Sequence, residues 1–188
     1  MTIGADDDAT LIGRVRAGDT DAYALLVRRH AAVAMRTAAL LGAGSGAEDA
    51  VQEAFVKAFA SLDRFHVDRP FRPWLLRIVA NEARNAHRSA VRRSAREDRA
   101  TRALPPELID PAVEVADREA KEKLLAAVAG LPEAWRRVVV CRYLLDLDEA
   151  STAVVLGVPR GTVKSRLSRG IRRLRDDLGT TIEEVDHA

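Results

Sequence analysis

The stretch Gly157-Val-Pro-Arg-Gly-Thr-Val-Lys-Ser-Arg-Leu167 decides the fold of the C-terminal part of the chain. Its glycine- and proline-containing turn separates a short helix, predicted to begin after Asp148 and end at Leu156, from a longer helix predicted from Thr162 to Leu178. Apolar residues recur along the longer helix at helical spacing and predict one buried stripe: Val163, Leu167, Ile171, Leu174 and Leu178. This order of elements is typical of a helix-turn-helix.

The opposite face of the longer helix carries cations and hydroxyl groups. It presents Lys164, Ser165, Ser168, Arg169 and Arg172, and Arg160 lies in the preceding turn. Long cations reach phosphates and guanine edges, and small hydroxyl residues allow the backbone to come close, so this face suits duplex DNA. The alternative is a solvated amphipathic helix on a bundle, and the Gly-Val-Pro-Arg-Gly turn favours the first interpretation.

The sequence as a whole predicts an all-α protein of two small domains joined by a flexible linker. The apolar residues of the 188-residue chain are mostly alanine, leucine and valine, arginine and glutamate add to the helical bias, and strand-forming aromatic residues are scarce. Residues 94–113 contain Leu104-Pro105-Pro106 and Asp110-Pro111, which interrupt helix. We therefore predict a domain over residues 1–93, a linker over 94–113 and a second domain over 114–188.

Four helices are predicted in the first domain. The first spans Leu11 to Gly18, and the second is capped by Asp19 or Thr20 and stopped by Gly42. Ser45 and Glu48 have the spacing of a capping box for the third helix. The fourth begins near Pro73, which tolerates the first turn of a helix, and continues to about Arg93.

Positive charge is concentrated in two blocks. Residues 69–102 hold ten arginines and three acids, and residues 157–175 hold seven basic residues and no acid, although the whole chain has a net charge of +2. Two separate basic blocks suggest two contacts with one polyanion. The first block overlaps the stretch Asp63-Arg-Phe-His-Val-Asp-Arg-Pro-Phe-Arg-Pro-Trp74, whose aromatic residues alternate with arginine, as in segments that stack on unpaired bases. Core packing is the alternative and is favoured for Trp74, whereas base stacking is favoured for Phe65.

The remaining residues offer little for catalysis. His30, His66, His87 and His187 are scattered without ligand spacing, and Cys141 stands alone in an apolar run, so neither a metal site nor a disulfide is expected. We expect no enzymatic activity, no cofactor and no small-molecule substrate. The acidic start and the lack of a long apolar segment predict a cytoplasmic protein without a signal peptide or membrane insertion.

In order along the chain, several motifs resemble those of the extracytoplasmic-function (ECF) sigma factors of the sigma-70 family. The segments that carry the resemblance are Ala17-Gly-Asp-Thr-Asp-Ala-Tyr23, Glu48-Asp-Ala-Val-Gln-Glu-Ala-Phe55, Phe71-Arg-Pro-Trp-Leu-Leu-Arg-Ile-Val-Ala-Asn81, Leu131-Pro-Glu133 and the Gly157–Leu167 stretch. The resemblance covers nearly the whole chain. It implies a four-helix sigma region 2 over the first domain, a helix-turn-helix sigma region 4 over the second, and a role in promoter recognition and melting for transcription initiation.

The resemblance also implies roles for individual residues. Docking on core RNA polymerase, through its β′ clamp and β subunits, is expected from Asp49, Gln52, Glu53 and Phe55. Contacts with the −10 promoter element are expected from Phe65, Arg77, Asn81, Arg84 and Arg88. Contacts with the −35 element are expected from Arg142, Arg160, Lys164, Ser165, Ser168 and Arg169. An anti-sigma factor is a further expected partner.

Several residues depart from the family pattern. Pro73 stands where threonine is usual, and Val67, Arg69 and Pro70 replace small residues of the −10 loop. Glu149 occupies a tyrosine position and is a poor phosphate contact, and Thr152 replaces a core isoleucine, which predicts loose packing of the short helix. Two other functions stay open at this point. If the chain is a helix-turn-helix regulator that acts without polymerase, its first domain has no assigned role. If it is a helical adaptor protein, its basic faces are incidental.

Overall fold

The computed structural model describes the backbone of residues 7–97 and 115–179 and the side chains of residues 7–92 and 122–179. All its regular elements are helical, as predicted: α1 (Asp8–Arg16), α2 (Thr20–Ala38), α3 (Ala47–Ser61), α4 (Phe71–Glu97), α5 (Val115–Gly130), α6 (Glu133–Val139), α7 (Glu149–Leu156) and α8 (Arg160–Leu178). The chain divides into two compact units, Met1–Glu97 and Asp98–Ala188. The predicted linker over residues 94–113 lies largely outside the described residues.

In the first unit, α1 to α4 pack around one apolar core. Its centre is formed by fully buried leucine, isoleucine and valine side chains: Leu11, Ile12, Leu26, Leu62, Leu75, Leu76 and Val79. The Asp19 carboxylate begins α2 by accepting hydrogen bonds from the backbone N–H groups of Asp21 and Ala22, and the Arg14 guanidinium donates to the same side chain at 2.7 Å. The predicted cap of α2 is therefore confirmed.

The connection between α2 and α3 differs from its prediction. Helix α2 continues into a π-helical turn, Ala39–Ala43, inside which Gly42 has a φ of 101°. This positive φ suits glycine and lets the chain reverse within a few residues. The predicted capping box of Ser45 and Glu48 is wrong, because Gly46 is the N-cap residue and no side chain bonds to the first turn of α3.

Helix α4 is the longest element, with 27 residues from Phe71 to Glu97. It begins two residues before Pro73, which lies buried in the first turn, where a missing N–H costs no hydrogen bond. It also continues four residues beyond the predicted boundary at Arg93. A single uninterrupted helix therefore carries the whole side-chain row from Arg77 to Arg88.

The second unit contains α5 to α8. Helix α6 begins after Pro132 and passes into a π-helical turn, Val140–Leu144. Helices α6 and α8 cross closely at Gly170, where a Cβ atom would lie 2.9 Å from Cγ2 of Val139. The glycine therefore sets how near the two helices come, and the buried Val138, Val140 and Val163 fill the core beside the crossing.

The short helix α7 is held at both of its ends. Asp148 accepts a hydrogen bond from the Ser151 backbone N–H at 2.6 Å, which confirms it as the N-cap residue. Gly157 ends the helix in the left-handed region at φ 65°. Thr152 is fully buried, with its hydroxyl 3.5 Å from the Leu147 carbonyl, so the residue occupies a core position.

The described helices carry no membrane span: none joins enough length to enough apolar character for one.

Candidate nucleic-acid interface

One row of polar side chains runs along α4. Arg77, Asn81, Arg84 and Arg88 follow one another at intervals of four, three and four residues, so they share a face of the helix. Arg77, Asn81 and Arg88 are exposed, and Arg84 is half-buried. The row offers three guanidinium groups and one amide to a single elongated ligand, which suits a phosphate backbone with at least one base edge beside it.

The aromatic residues at the start of α4 form a cluster. The ring centroids of Phe65 and Phe71 lie 5.6 Å apart, those of Phe65 and Trp74 4.8 Å, and those of Phe71 and Trp74 5.4 Å. Phe65 is only 5% exposed. The expectation that Phe65 stacks on bases is therefore corrected: packing against two rings removes its surface from water, which is worth about 1.5–3 kcal/mol for a phenylalanine.

The loop that follows Phe65 is exposed and borders a cleft. Residues 66–70 are all exposed, and Val67 keeps 49% of its surface. The cleft has a volume of about 470 Å³. Its wall is formed by the loop residues Val67, Arg69 and Pro70, by the aromatic rings of Phe65 and Phe71, and by Asp7, Asp8 and Ile12 of the first helical segment with Arg29 and Arg72. A lining that combines aromatic rings with arginines fits a flat, phosphate-bearing group.

The acids at this cleft are already engaged. Asp8 accepts from Arg29 at 2.7 Å and lies 2.9 Å from Nε2 of His30, and Asp7 caps α1 through the Thr10 backbone N–H at 2.7 Å. Burial lowers the pKa of His30, although Asp8 opposes the shift. His30 also packs on Phe71 with ring centroids 5.3 Å apart. His30 of α2, which Asp8 of α1 contacts, therefore supports the aromatic cluster on the side of Phe71.

Arg16 anchors the loop between α3 and α4, and the sequence patterns did not point to it. Its guanidinium donates to the Leu62 carbonyl at 2.8 Å and also to the carbonyl of Phe65. Both carbonyls lie at the short 3-10 turn that follows α3, where the Leu62 carbonyl also accepts from the Phe65 backbone N–H at 3.1 Å. Arg16 therefore fixes the point from which the exposed loop departs.

Helix α3 presents a mixed acidic and apolar face. Asp49, Gln52 and Glu53 are exposed, as expected of residues that dock on a partner. Phe55 is 8% exposed and belongs to the core, so its expected contact with polymerase is corrected. The exposed apolar residues of this helix are Val56 at 59% and Phe59 at 46%.

Tyr23 supports Phe59 from α2. The two rings meet edge to face with centroids 4.9 Å apart, and the Tyr23 hydroxyl donates to the Phe55 carbonyl at 2.5 Å. Burial raises the pKa of Tyr23 to about 12, so the phenol stays protonated as the donor. Phe59 is thus held in place while much of its ring faces solvent.

Lys57 connects the α3 face to α4. Its ammonium lies 2.9 Å from Glu82 and 3.3 Å from Glu53, and the hydrogen bond with Glu82 is the main cause that raises the pKa of Lys57. Glu82 is adjacent to Asn81 on α4. One ion-pair network therefore joins the acidic face of α3 to the polar row of α4.

In the second unit, α8 exposes the face that its spacing predicted. Lys164, Ser165, Ser168 and Arg169 are exposed, while Val163 and Leu174 are buried on the other side. The Ser165 hydroxyl donates to the Thr162 carbonyl at 3.2 Å. Two cations flanking two small hydroxyl residues match what a helix needs in a DNA groove.

Two further cations lie near the helix-turn-helix in different situations. Arg142 is half-buried and its guanidinium donates to the Leu147 carbonyl, so it shapes the turn before α7 and is less available for phosphate than expected. The Arg160 side chain is 68% exposed at the first residue of α8, with Nε 3.5 Å from Oε1 of Glu149. Arg160 therefore remains accessible at the end of the α8 face.

Comparison with known proteins agrees with this division of the chain. The family described as Sigma-70 region 2 matches residues 23–93, and the family described as Sigma-70, region 4 matches residues 121–174. The ECF RNA polymerase sigma-E factor of Escherichia coli (strain K12) is 32% identical over 171 residues, which cover 86% of this chain and 89% of that protein. The ECF RNA polymerase sigma factor SigW of Bacillus subtilis (strain 168) is 30% identical and covers 89% and 94%.

Solved structures give the same fold. The chain is similar to CnrH, solved in complex with the cytosolic domain of CnrY, with a TM-score of 0.68 and 27% identity over 93% of this chain and 98% of that one. It is also similar in fold to the sigma factor RpoE of Bartonella quintana, solved with the anti-sigma factor NepR, with a TM-score of 0.65 and 24% identity over 83% and 98% of the two chains.

Proposed function

The chain belongs to the ECF sigma factors of the sigma-70 family, and on that premise we propose which of its surfaces carry out the steps of transcription initiation. As a sigma factor it binds core RNA polymerase and recognises the −35 and −10 elements of promoters. The observation that supports the assignment is the presence of one exposed basic face in each unit, on α4 and on α8.

The α8 face is assigned to the −35 element. Lys164, Ser165, Ser168 and Arg169 would enter or border the major groove, with Arg160 on the adjacent phosphates. Phosphate contacts fix the helix on the duplex, and an arginine or lysine that reaches a guanine edge adds sequence preference. Arg142 would act indirectly, because its bond to the Leu147 carbonyl positions the start of α7.

We expect Lys164→Ala and Arg169→Ala each to weaken −35-dependent transcription about tenfold, since a lost base or phosphate contact costs about 1–3 kcal/mol. Binding to core polymerase should be unchanged. The measurement is run-off transcription at several salt concentrations, with Arg173→Ala as the comparison, because Arg173 lies one turn beyond Arg169 and is engaged with Asp177 at 3.1 Å. Full transcription by both variants would contradict the assignment of this face.

The α4 row and the cleft beside it are assigned to the −10 element. Arg77, Arg84 and Arg88 would hold the backbone of the unpaired non-template strand, and Asn81 would bond to a base. A base drawn out of the stack would enter the cleft at Val67 and Arg69. Phe65 would form the cleft floor from within the aromatic cluster, in place of the free stacking platform first expected.

Asn81→Ala is expected to slow promoter opening about tenfold while leaving core binding within about twofold, because the exposed amide packs against no core. Opening is followed by permanganate reactivity of unpaired thymines, and core binding by co-elution. An equal loss in both measurements would mean that Asn81 acts on the fold.

Core polymerase is proposed to dock on the α3 face. Asp49, Gln52 and Glu53 provide charge and hydrogen bonds for a basic partner such as the β′ clamp, and Val56 with Phe59 provides the apolar contact that Phe55 was expected to make. An exposed aromatic ring between acids is typical of an interface anchor.

An inhibitory protein partner is proposed from the structural relatives, since CnrH was solved with CnrY and RpoE with the anti-sigma factor NepR. We further propose that the chain acts in the cytoplasm, where polymerase and promoters are found, and that it has no catalytic activity of its own.

The deciding experiment is co-elution with core polymerase followed by run-off transcription on a genomic promoter library. Discrete new start sites would support the assignments. A folded, uninhibited chain that does not bind core would instead indicate a helix-turn-helix regulator that works alone.

A further inference from the structure

One ion pair links the two helices of the helix-turn-helix. Glu149 is the first residue of α7 and Arg160 the first of α8, and the Glu149 Oε1 to Arg160 Nε distance is 3.5 Å. The side chains are 41% and 68% exposed. A pair in such contact with water adds little to folding stability, and α7 and α8 are already held by Gly157 and the buried Val155 and Val163. The pair therefore matters chiefly for what Arg160 can bind.

Two acids, Asp148 and Glu149, lie beside Arg160 at the start of α7. Asp148 precedes Glu149, and the hydrogen bond from the Ser151 backbone N–H holds the pKa of Asp148 below its ordinary value, so this carboxylate is charged at neutral pH. The neighbouring cation Arg142 is committed to the Leu147 carbonyl. In a helix-turn-helix the first helix crosses the DNA backbone while the second enters the groove. The start of α7 would therefore bring two carboxylates toward phosphates.

We propose that Glu149 limits the affinity of the second domain for −35 DNA by competing with phosphate for Arg160. This inference rests on the proposed role of the α8 face. When the helix-turn-helix docks, Arg160 either leaves Glu149 for a phosphate or brings the carboxylate with it, and both choices offset part of the attraction between Arg160 and DNA. The contact thus sets promoter affinity below the value that the α8 cations alone would give.

The test uses the full chain assembled with core polymerase and a short duplex that carries the −35 element found by run-off transcription. Glu149→Gln is expected to tighten binding about two- to fivefold, the range that an exposed ion pair contributes. The gain should be smaller when Arg160 is also changed to Gln, because the competition is then absent and only the repulsion between Glu149 and phosphate remains. Asp177→Asn is the matched control: it removes the same charge from another exposed ion pair of α8, with Arg173, far from the first turn.

Three results would overturn the proposal: unchanged affinity of Glu149→Gln, the same gain with and without Arg160, or an equal gain in Asp177→Asn. The last two would mean that net charge, and not this pair, sets the affinity. Lys164→Ala, measured in parallel, separates this failure from that of the parent assignment. If Lys164→Ala weakens binding while Glu149→Gln changes nothing, only the competition is rejected; if neither has an effect, the α8 face itself is misassigned.

Discussion

Replacing Phe71 with alanine is expected to lower the free energy of unfolding of the first domain by about 3–5 kcal/mol, the range for phenylalanine removed from a core. Phe71 is 4% exposed and lies at the centre of the aromatic cluster, with ring centroids 5.3 Å from His30, 5.6 Å from Phe65 and 5.4 Å from Trp74. Its loss opens a cavity between α4 and the loop. Urea unfolding followed by circular dichroism and by Trp74 fluorescence measures the effect.

Phe59→Ala is the matched control for Phe71→Ala. Phe59 keeps 46% of its surface exposed, so the same truncation should cost less than about 1.5 kcal/mol. If the α3 face is the docking surface, Phe59→Ala should weaken binding to core polymerase more than Phe71→Ala does, although Phe59→Ala stays folded. A Phe71→Ala variant as stable as Phe59→Ala would contradict the packing of the cluster.

Gly170→Val is expected to destabilise the second domain by about 3 kcal/mol, because overpacking a filled core costs about 1–3 kcal/mol and a β-branched residue adds to it. A Cβ atom at this position would meet Val139 Cγ2 at 2.9 Å and Trp135 Cβ at 3.5 Å. Both neighbours belong to α6, so relief requires α6 and α8 to separate. Denaturant unfolding followed by tryptophan fluorescence in a Trp74→Phe background, in which the remaining tryptophan is Trp135 of α6, measures the effect.

Gly161→Ala provides the control within the same helix. No heavy atom lies within 4 Å of the position that its Cβ would take, so alanine should stabilise α8 by roughly 0.5–1 kcal/mol through helix propensity. Adding Val139→Ala to Gly170→Ala should recover part of the stability lost by the single Gly170→Ala change, since the smaller residue removes the contact. If Gly161→Ala and Gly170→Ala changed the free energy of unfolding equally, the close crossing would be contradicted.

Helical spacing and end signals predicted the elements well, because both act locally. Asp19, Asp148 and Gly157 cap or end helices where the sequence placed them. Ser45 and Glu48 had the same kind of local signal and failed. The π-helical turn before them and the positive φ of Gly42 turn the chain so that Gly46 takes the N-cap position, and nothing in the residue pattern indicates a π-helical turn.

The errors at the candidate site concern which side of an element a ring faces. Val51, Phe55, Ala58 and Leu62 follow one another at intervals of four, three and four residues and are all buried, whereas Phe59, which has the same helical spacing from Phe55, keeps 46% of its surface exposed. Phe65 was assigned to solvent because it follows a helix. Its burial depends on Phe71 and Trp74, six and nine residues later, meeting it in space. The bonds of Arg16 to the loop cross more than 45 residues of sequence and have no local signal.

Because α4 is unbroken, the axial length of its polar row is fixed by helix geometry. Arg77 and Arg88 are eleven residues apart, which at about 1.5 Å per residue is roughly 16 Å along the axis. Successive phosphates of one stacked strand advance about 3.4 Å, so the row would span roughly five stacked nucleotides and fewer of an unstacked, extended strand. If the proposed assignment is right, helix geometry would set the length of the promoter segment that the first domain follows, and the loop and cleft would set the identity of its bases. Substitutions in Val67–Pro70 would then change which bases are preferred without changing how many are contacted.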